Sequence, residues 1–362
     1  VTYNRVLPYD IDMTLTLLKS KEEEALYRII DTGYPLVGDE PTVPTEKAPD
    51  GRPIYDQKEV RGYHAGLYNV CCGDREVFSA SLSKGFRDGD TFLTFAYTAQ
   101  DHQNRSDMTS STSNSNFGKT GAVDFNNRMK NRSTYETEHS FLITLTSKHY
   151  FFGGNAPTTF SLVYAKESGN VKYPTFDTYT SWPGDYKSKA FGYEFNLNDD
   201  SSSLLYIPTA NDPLVCYSYK CTDEGSGDAL QRESEILNFL YNVWGLEDYA
   251  GEIAPRDAGN FPWQTSLDLN IVQELPGFRE GDAFVITLAL ENLLNFIDDD
   301  KGIIKYGYYS GRVPVLDLRI VDGERYDYSR NAFRYSFDDP FNIDRSTTQS
   351  LWRASLGIQY KF

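Results

Sequence analysis

Cysteines are the residues of this chain with the most definite chemistry, and all four fall into two pairs. Cys216 and Cys221 enclose a short polar run, and this spacing suits a disulfide within one loop in an oxidising compartment. Cys71 and Cys72 are adjacent, and their state stays open because neighbouring cysteines bridge only with strain. There is no CxxC motif and no histidine near the Cys216–Cys221 pair. We therefore predict this disulfide, no metal site and no cofactor.

Histidines could supply acid–base chemistry, and they stand at His64, His102, His139 and His149. His139 follows Glu136 and Glu138 closely in the sequence. No serine or aspartate lies at a spacing that would fix a nucleophile beside it. We expect an exposed histidine at the rim of a strand, and we predict that the chain is not an enzyme.

Carboxylates form three short clusters, at Asp199–Asp200, Asp298–Asp300 and Asp338–Asp339. The run that begins at Asp298 lacks the twelve-residue ligand spacing of an EF-hand. Solvated acidic loops are the favoured interpretation. Calcium that bridges the loops to one another or to lipid phosphates is the alternative.

The overall charge of −17 argues against two classes of partner. An acidic chain does not suit nucleic acid, and it does not suit a membrane surface protein held by basic residues. No apolar run is long enough for a membrane helix, and the mean hydropathy is −0.52. A membrane barrel remains compatible with that value, because each of its strands is apolar on one face only. Since the sequence starts at Val1 without a signal, we expect a processed or partial chain.

The last residues of the chain alternate between apolar and polar side chains up to the final carboxylate. Such a strand has one apolar and one polar face, and it ends on an aromatic residue. A transmembrane barrel needs an ordered final strand, because that strand must close the sheet. Ser355, Gly357, Tyr360 and Phe362 also resemble the C-terminal assembly signal that outer-membrane barrels present to the barrel-assembly machinery.

Period-two alternation predicts eight strands in all, most of them long enough to cross a bilayer at a tilt. They are Ile11–Leu17, Phe78–Ser83, Leu93–Ala99, Ser140–Thr146, Thr159–Ala165, Trp263–Ile271, Phe284–Glu291 and Trp352–Phe362. The apolar sets would face lipid and the polar sets a wet lumen. Asp12, Asp268 and Glu291 fall in the polar sets, where a charge is tolerated.

Short turns alternate strictly with long connections between these strands. The short turns lie at Arg87–Asp90, Phe152–Asn155 and Pro276–Gly281, and each is rich in glycine or in residues suited to hairpins. The long connections span about 20–73, 101–136, 169–262 and 295–350. Outer-membrane barrels have this asymmetry, with short periplasmic turns and long extracellular loops. The pattern predicts an all-β, antiparallel, multi-pass barrel of the Gram-negative outer membrane, with Phe362 at the periplasmic rim.

The long extracellular loop at 169–262 contains one helical pattern. Apolar residues recur at helical spacing between 232 and 249, at Ile236, Phe239, Leu240, Val243 and Trp244. We predict a short amphipathic helix that folds over the barrel mouth.

Several segments, taken in order, resemble the C-terminal part of a TonB-dependent outer-membrane transporter. The similar subgroup is the Oar-like receptors, which carry a carboxypeptidase-regulatory-like domain. The segments are Pro8–Lys21, Glu76–Lys84 with Phe92–Ala99, Ser203–Thr209, Arg256–Trp263 with Leu267–Leu269, Leu290–Asn295 and Ser355–Phe362.

The resemblance implies a barrel of about twenty-two strands, of which this chain would supply about eight, roughly the last third of the receptor. The plug domain and the TonB box would be absent from this chain, so TonB would act through a segment outside it. The implied function is energy-driven uptake of a bound ligand, by analogy a peptide or protein. Implied partners are the rest of the receptor and outer-membrane lipid or lipopolysaccharide.

The alternative is a free-standing eight-stranded outer-membrane barrel that acts as an adhesin or a structural anchor. Eight strands can close alone around an interior filled by side chains. A closed ring of eight strands would separate this interpretation from a curved sheet that requires further strands.

Overall fold

A computed structural model describes residues 1–31, 44–55, 64–105, 110–111, 116, 120–124, 127–151, 156–177, 203–306, 312–317, 319–329, 344–345 and 347–362. Nine long strands form one antiparallel sheet in which each strand pairs with the next along the chain. They are β1 (Thr2–Leu7), β2 (Ile11–Glu22), β3 (Gly73–Phe86), β4 (Thr91–Asn104), β5 (His139–His149), β6 (Thr158–Glu167), β7 (Gln264–Pro276), β8 (Ala283–Glu291) and β9 (Arg353–Lys361).

The sheet has one long strand more than the eight expected, because β1 precedes the first predicted strand. A tight turn joins β1 to β2, and Tyr9 and Asp10 there adopt positive φ values of 67° and 56°. The sequence pattern did not predict β1 because Arg5 interrupts its alternation. Arg5 lies opposite Met13, on the same face of the sheet as the apolar residues. The described chain is mostly antiparallel β-sheet, which is compatible with the predicted all-β class. Within the described residues β1 and β9 each pair along one side only, so the sheet is open rather than a closed ring.

The register between neighbouring strands places apolar residues together on one face of the sheet and polar residues together on the other. Leu15, Ala80, Tyr97 and Phe141 follow one another across four strands on what we call the apolar face. The opposite side, the polar face, carries cross-strand hydroxyl pairs such as Ser79 with Thr98 at 3.1 Å. The alternating pattern of the sequence is therefore a pattern of sheet faces.

The three acidic residues that the sequence assigned to the polar sets fall on the polar face. Asp12 lies opposite Ser83, and Asp268 lies opposite Val163. Glu291 lies opposite Arg353, whose guanidinium is 3.9 Å from its carboxylate.

Large side chains on the apolar face remain exposed rather than covered by other parts of the described chain. They are Leu17, Phe78, Leu82, Leu93, Phe95, Ile143, Trp263, Trp352, Leu356 and Ile358. The two residues of the last strand in this set, Leu356 and Ile358, are each 70% exposed. An apolar surface of this extent indicates contact with another apolar phase or partner.

Short and long connections alternate in the structure. The short turns are residues 8–10, 87–90 and 277–282 and the connection from β5 to β6, and the strand ends that they join all lie at one edge of the sheet. Arg87 and Asp88 take positive φ values of 55° each in their turn. The predicted turn Phe152–Asn155 lies outside the described residues.

The four long connections lie at the opposite edge and span 23–72, 105–138, 168–263 and 292–352. They contain short pairs of strands: Ala25–Asp31 with His64–Val70, Pro44–Lys47 with Pro53–Tyr55, Tyr206–Ile207 with Glu252–Ile253, and Lys305–Tyr306 with Asp344–Arg345. There are also two small three-stranded sheets. One is formed by Val171–Asp177, Gly259–Asn260 and Arg312–Asp317, and the other by Val215–Cys216, Ile320–Val321 and Arg325–Asp327. Asn131–Arg132 pairs with the end of β4. The helices are α1 (Gly227–Asn238), α2 (Leu293–Ile297) and α3 (Thr347–Ser350), with 3₁₀ turns at Arg87–Gly89, Tyr219–Cys221 and Glu247–Tyr249.

Candidate functional site in the cap formed by the long connections

The hydrophobic core of the molecule lies in the long connections, whose described residues we call the cap. One cluster of buried apolar side chains includes Ala48, Ala122, Leu240 and Val315, which come from the first, second, third and fourth connections respectively. The third connection supplies most of the residues in this cluster, and the other three pack against it. Shared packing allows all four to form one body.

Helix α1 contributes Ala229 and Ile236 to this core, and the helical stretch after it contributes Phe239 and Leu240. Helix α1 begins at Gly227 rather than at the predicted Arg232, because the Ser226 hydroxyl accepts a hydrogen bond from Ala229 N at 3.2 Å and caps the helix. After Asn238 the chain continues as one π-helical stretch, Phe239–Val243. Of the five apolar residues that predicted the helix, Ile236, Phe239, Leu240 and Trp244 are buried, whereas Val243 is 36% exposed.

Tyrosines fill the centre of the cap, and two of them, Tyr206 and Tyr328, donate their hydroxyl hydrogens to partners there. Tyr206 donates to the Asp212 carboxylate at 3.0 Å, and Tyr328 donates to the carbonyl of Tyr206 at 2.8 Å. Burial, reinforced by the hydrogen bond to Asp212, raises the pKa of Tyr206. The hydroxyl therefore stays protonated as a donor, and the tyrosines act as structural groups.

A charged pair enters this core from the first connection. The hairpin Pro44–Tyr55 brings Arg52 to within 2.6 Å of Asp50, and both side chains are almost completely buried. The Arg52 guanidinium also lies 5.5 Å from the ring centre of Phe176 in the third connection. Loss of one partner would leave an unpaired buried charge, so the pair fixes how the first connection seats on the third.

A second polar network ties the cap to the rim of the sheet. Arg132 contacts the carboxylates of Glu136 at 2.6 Å and Glu138 at 2.9 Å, and it donates to Asn260 at 2.8 Å. Burial opposes ionisation of Glu138. The hydrogen bond from Asn260 and the charge of Arg132 outweigh that effect and hold the pKa of Glu138 below its usual value. The network joins the second and third connections at the start of β5.

Both cysteine pairs are disulfides in the structure, including the predicted Cys216–Cys221 pair. Cys216, Cys221 and Glu224 also stand close enough to hold a metal ion. Because the sulfurs are bonded to each other, they are not thiolate ligands, and Glu224 instead pairs with Arg325. The Cys216–Cys221 disulfide thus closes a small loop at the surface of the cap.

Asparagines of the fourth connection carry a structural role that the sequence pattern did not reveal. Asn292 is buried at a positive φ of 52° and donates to the carbonyls of Gly302 at 2.8 Å and Ser350 at 2.7 Å. Its own backbone N–H donates to Asp268 at 2.8 Å. Asn295 donates to the carbonyl of Lys301 at 3.1 Å. These bonds fold residues 292–305 into a fixed loop at the end of β8.

The histidines form two contacts of chemical interest. The hydroxyl of Tyr97 and Nδ1 of His139 are 2.9 Å apart. Nε2 of His149 lies 3.0 Å from the Ser147 hydroxyl, but its Nδ1 lies 3.3 Å from the Arg87 guanidinium. A catalytic triad places a carboxylate at that position to stabilise the charged ring, whereas an arginine opposes it.

The four residues of the proposed assembly signal lie on the last strand and just beyond it. Ser355 pairs with Ala289, and Gly357 pairs with Thr287. Tyr360 packs against Phe284 with 4.7 Å between ring centres and hydrogen-bonds to Asp282. Phe362 stacks on Tyr360 at 6.3 Å. The aromatic end of the signal therefore lies at the edge of the short turns.

Comparisons with known proteins add no relative: no protein-family model matches the chain, and no curated protein is significantly similar to it. In the described parts of the chain, no helix combines the length and the apolar character needed to cross a membrane.

Proposed function

We propose that the chain forms the C-terminal part of the wall of a TonB-dependent outer-membrane transporter of the Oar-like kind, with the cap as its extracellular ligand-binding surface. The observation that carries this proposal is the separation of the core from the apolar face. Buried apolar residues pack in the cap, whereas ten large apolar side chains of the sheet stay open to the surroundings. Lipid is the phase that such a strand-built surface suits.

The alternation of connections supports a spanning orientation. Every short turn lies at one edge of the sheet and every long connection at the other. In outer-membrane barrels the corresponding edges face the periplasm and the medium. The cap would then meet the ligand, and the rim with Phe362 would face the periplasm.

The number of strands favours a larger barrel over the free-standing one. In an antiparallel meander of nine strands, β1 and β9 run in the same direction. Closing the sheet on itself would require a parallel pair, whereas bacterial single-chain barrels use an even number of antiparallel strands. The unpaired sides of β1 and β9 instead suit pairing with further strands of the same receptor. Those strands, a plug and TonB are the partners this proposal requires.

Orientation can be tested with single cysteines, since the described chain has no free cysteine of its own. Asp248→Cys places a thiol on the cap, and Glu280→Cys places one in a short turn; both positions are exposed. In intact cells a membrane-impermeant maleimide should label Asp248→Cys alone, and Glu280→Cys should react only after the outer membrane is permeabilised. Equal labelling of both in intact cells would contradict a spanning sheet.

Ring closure separates the two kinds of barrel. Asn4→Cys is combined with a cysteine at Ser355, Gly357 or Gln359 in the complete gene product. A free-standing barrel should form a β1–β9 disulfide, whereas the large wall should form none. Asn4→Cys with Thr14→Cys is the control, because these residues are registered neighbours and should cross-link in either case.

The ligand class is a separate part of the proposal, a peptide or protein. The intact receptor is purified from outer membranes with its native ligand, and the ligand is analysed by mass spectrometry. Recovery of a peptide or protein is expected. Recovery of a siderophore or glycan alone would contradict this class without affecting the barrel.

A further inference from the structure

A cleft of about 480 Å³ opens at the boundary between the sheet and the fourth connection. One wall consists of Trp263 and Thr265, at the start of β7. Thr265 belongs to the apolar face, since it lies opposite Lys166, which in turn lies opposite Phe141. The cleft is therefore on the side of the sheet that we assign to lipid.

The other wall comes from the loop that follows β8, through Leu294, Asp300, Lys301 and Lys305. The asparagine hydrogen bonds described above hold this loop in place before any ligand arrives. The Ser350 hydroxyl adds to them, because it accepts from the backbone of Ile304 at 3.0 Å. A wall fixed in this way lowers the conformational cost of binding.

Lys301 and Lys305 line this cleft beside Asp300, and Asp298 and Asp299 precede them on the same loop. Lys166 places its ammonium 5.3 Å from the ring centre of Trp263. Lys301 also contacts Asp298 at 3.2 Å, which leaves its remaining hydrogens for another acceptor. Ammonium groups on flexible stems are common phosphate ligands.

The surroundings of the cleft are apolar and exposed. Phe296 is 59% and Ile297 69% exposed on the same loop, and Trp352 is 44% exposed at the start of the last strand. Phe296 and Trp352 pack edge to face with 5.0 Å between ring centres. Aromatic residues with lysines at strand ends are typical of the level of lipid head groups.

We propose that this cleft binds the phosphorylated head group of an outer-leaflet lipid. Lys301 and Lys305 would hold the phosphate, Trp263 would pack against the uncharged part of the head group, and the acyl chains would lie along the apolar face below. This inference rests on the proposed membrane location. It adds a defined lipid site beside the cap.

The test uses the full chain in mild detergent with diphosphorylated lipid A as the probe, followed by native mass spectrometry and fluorescence titration. The double variant K301Q/K305Q should bind it roughly tenfold or more weakly, because charge-assisted bonds to phosphate are lost. K148Q/K361Q removes the same charge at the opposite edge of the sheet and should bind as the parent does. Trp263→Ala should also weaken binding.

Three results would overturn the inference: equal loss in both double variants, equal affinity for dephosphorylated lipid, or full competition by inorganic phosphate at matched concentration. The last result would identify a free-phosphate site instead. Vesicle flotation of the same preparations separates this inference from the proposed function. A chain that inserts but shows no head-group preference contradicts only the lipid site, whereas a chain that fails to insert contradicts both.

Discussion

Placing an arginine on the apolar face tests the location of the sheet most directly. Leu356 lies near the middle of β9 and is 70% exposed, so it has little packing to lose. In water, Leu356→Arg should change the free energy of unfolding by only about 0.5 kcal/mol. In a bilayer the same change should cost about 3 kcal/mol, a factor of roughly 150 in the folding equilibrium, because the charge is near the midplane.

The matched control is Ala289→Arg on the polar face. Ala289 lies opposite Ser355, the chain neighbour of Leu356, so both arginines lie at nearly the same depth. Each variant is unfolded in urea from lipid vesicles, and its free energy of unfolding is compared with that of the parent. The reasoning would be refuted if Leu356→Arg stayed within about 0.5 kcal/mol of the parent, or if Ala289→Arg cost as much.

Three further predictions concern the cap and the loop after β8. Replacing Cys216 and Cys221 by serine should destabilise the cap by roughly 2 kcal/mol, since the disulfide closes a six-residue loop, and a reducing agent should then have no added effect in limited proteolysis. Asn292→Ala should cost about 3 kcal/mol, from two lost hydrogen bonds and a left-handed alanine, and should speed hydrogen exchange in residues 293–305; unchanged exchange would contradict it. Because the pKa of Glu138 is lowered, its contribution to stability is present above the ordinary value of 4.5 and is lost as pH falls below it, so Glu138→Gln should flatten the stability–pH curve there. A curve for this variant that runs parallel to the parent's would exclude this role.

The sequence predicts the sheet well because a sheet with one apolar and one polar face imposes a two-residue period on each strand. Seven of the predicted strands have Leu, Ile or Phe on that period, and the terminal one adds Trp352 and Phe362. The pattern fails at β1, where Arg5 lies on the apolar face. Strand β1 is the outermost strand and has only one neighbouring strand to constrain its residues, so the alternation there is weaker.

The core of the cap could not be predicted from the sequence pattern, and the reason is different. Its residues come from four connections that are far apart in sequence, so no local period marks Ala48, Ala122 or Val315 as core. Only α1 carries a periodic signal, and even there the first residue of the helix depends on the hydrogen bond accepted by the N-terminal capping residue, Ser226. The role of Asn292 is likewise set by contacts with Gly302 and Ser350, which a single sequence does not reveal.

A shared core also makes the two edges of the sheet mechanically unequal. The four connections that meet in the cap begin and end at the same ends of strands β2 to β9. Their common packing therefore holds eight strand ends together. The described residues of the short turns at the opposite edge contribute nothing to this core. Force applied to one connection is therefore distributed over the whole clasped edge, because a close-packed interior transmits strain rather than absorbing it. In the proposed orientation, the stiffer edge would meet the medium and the more compliant edge would meet the periplasm.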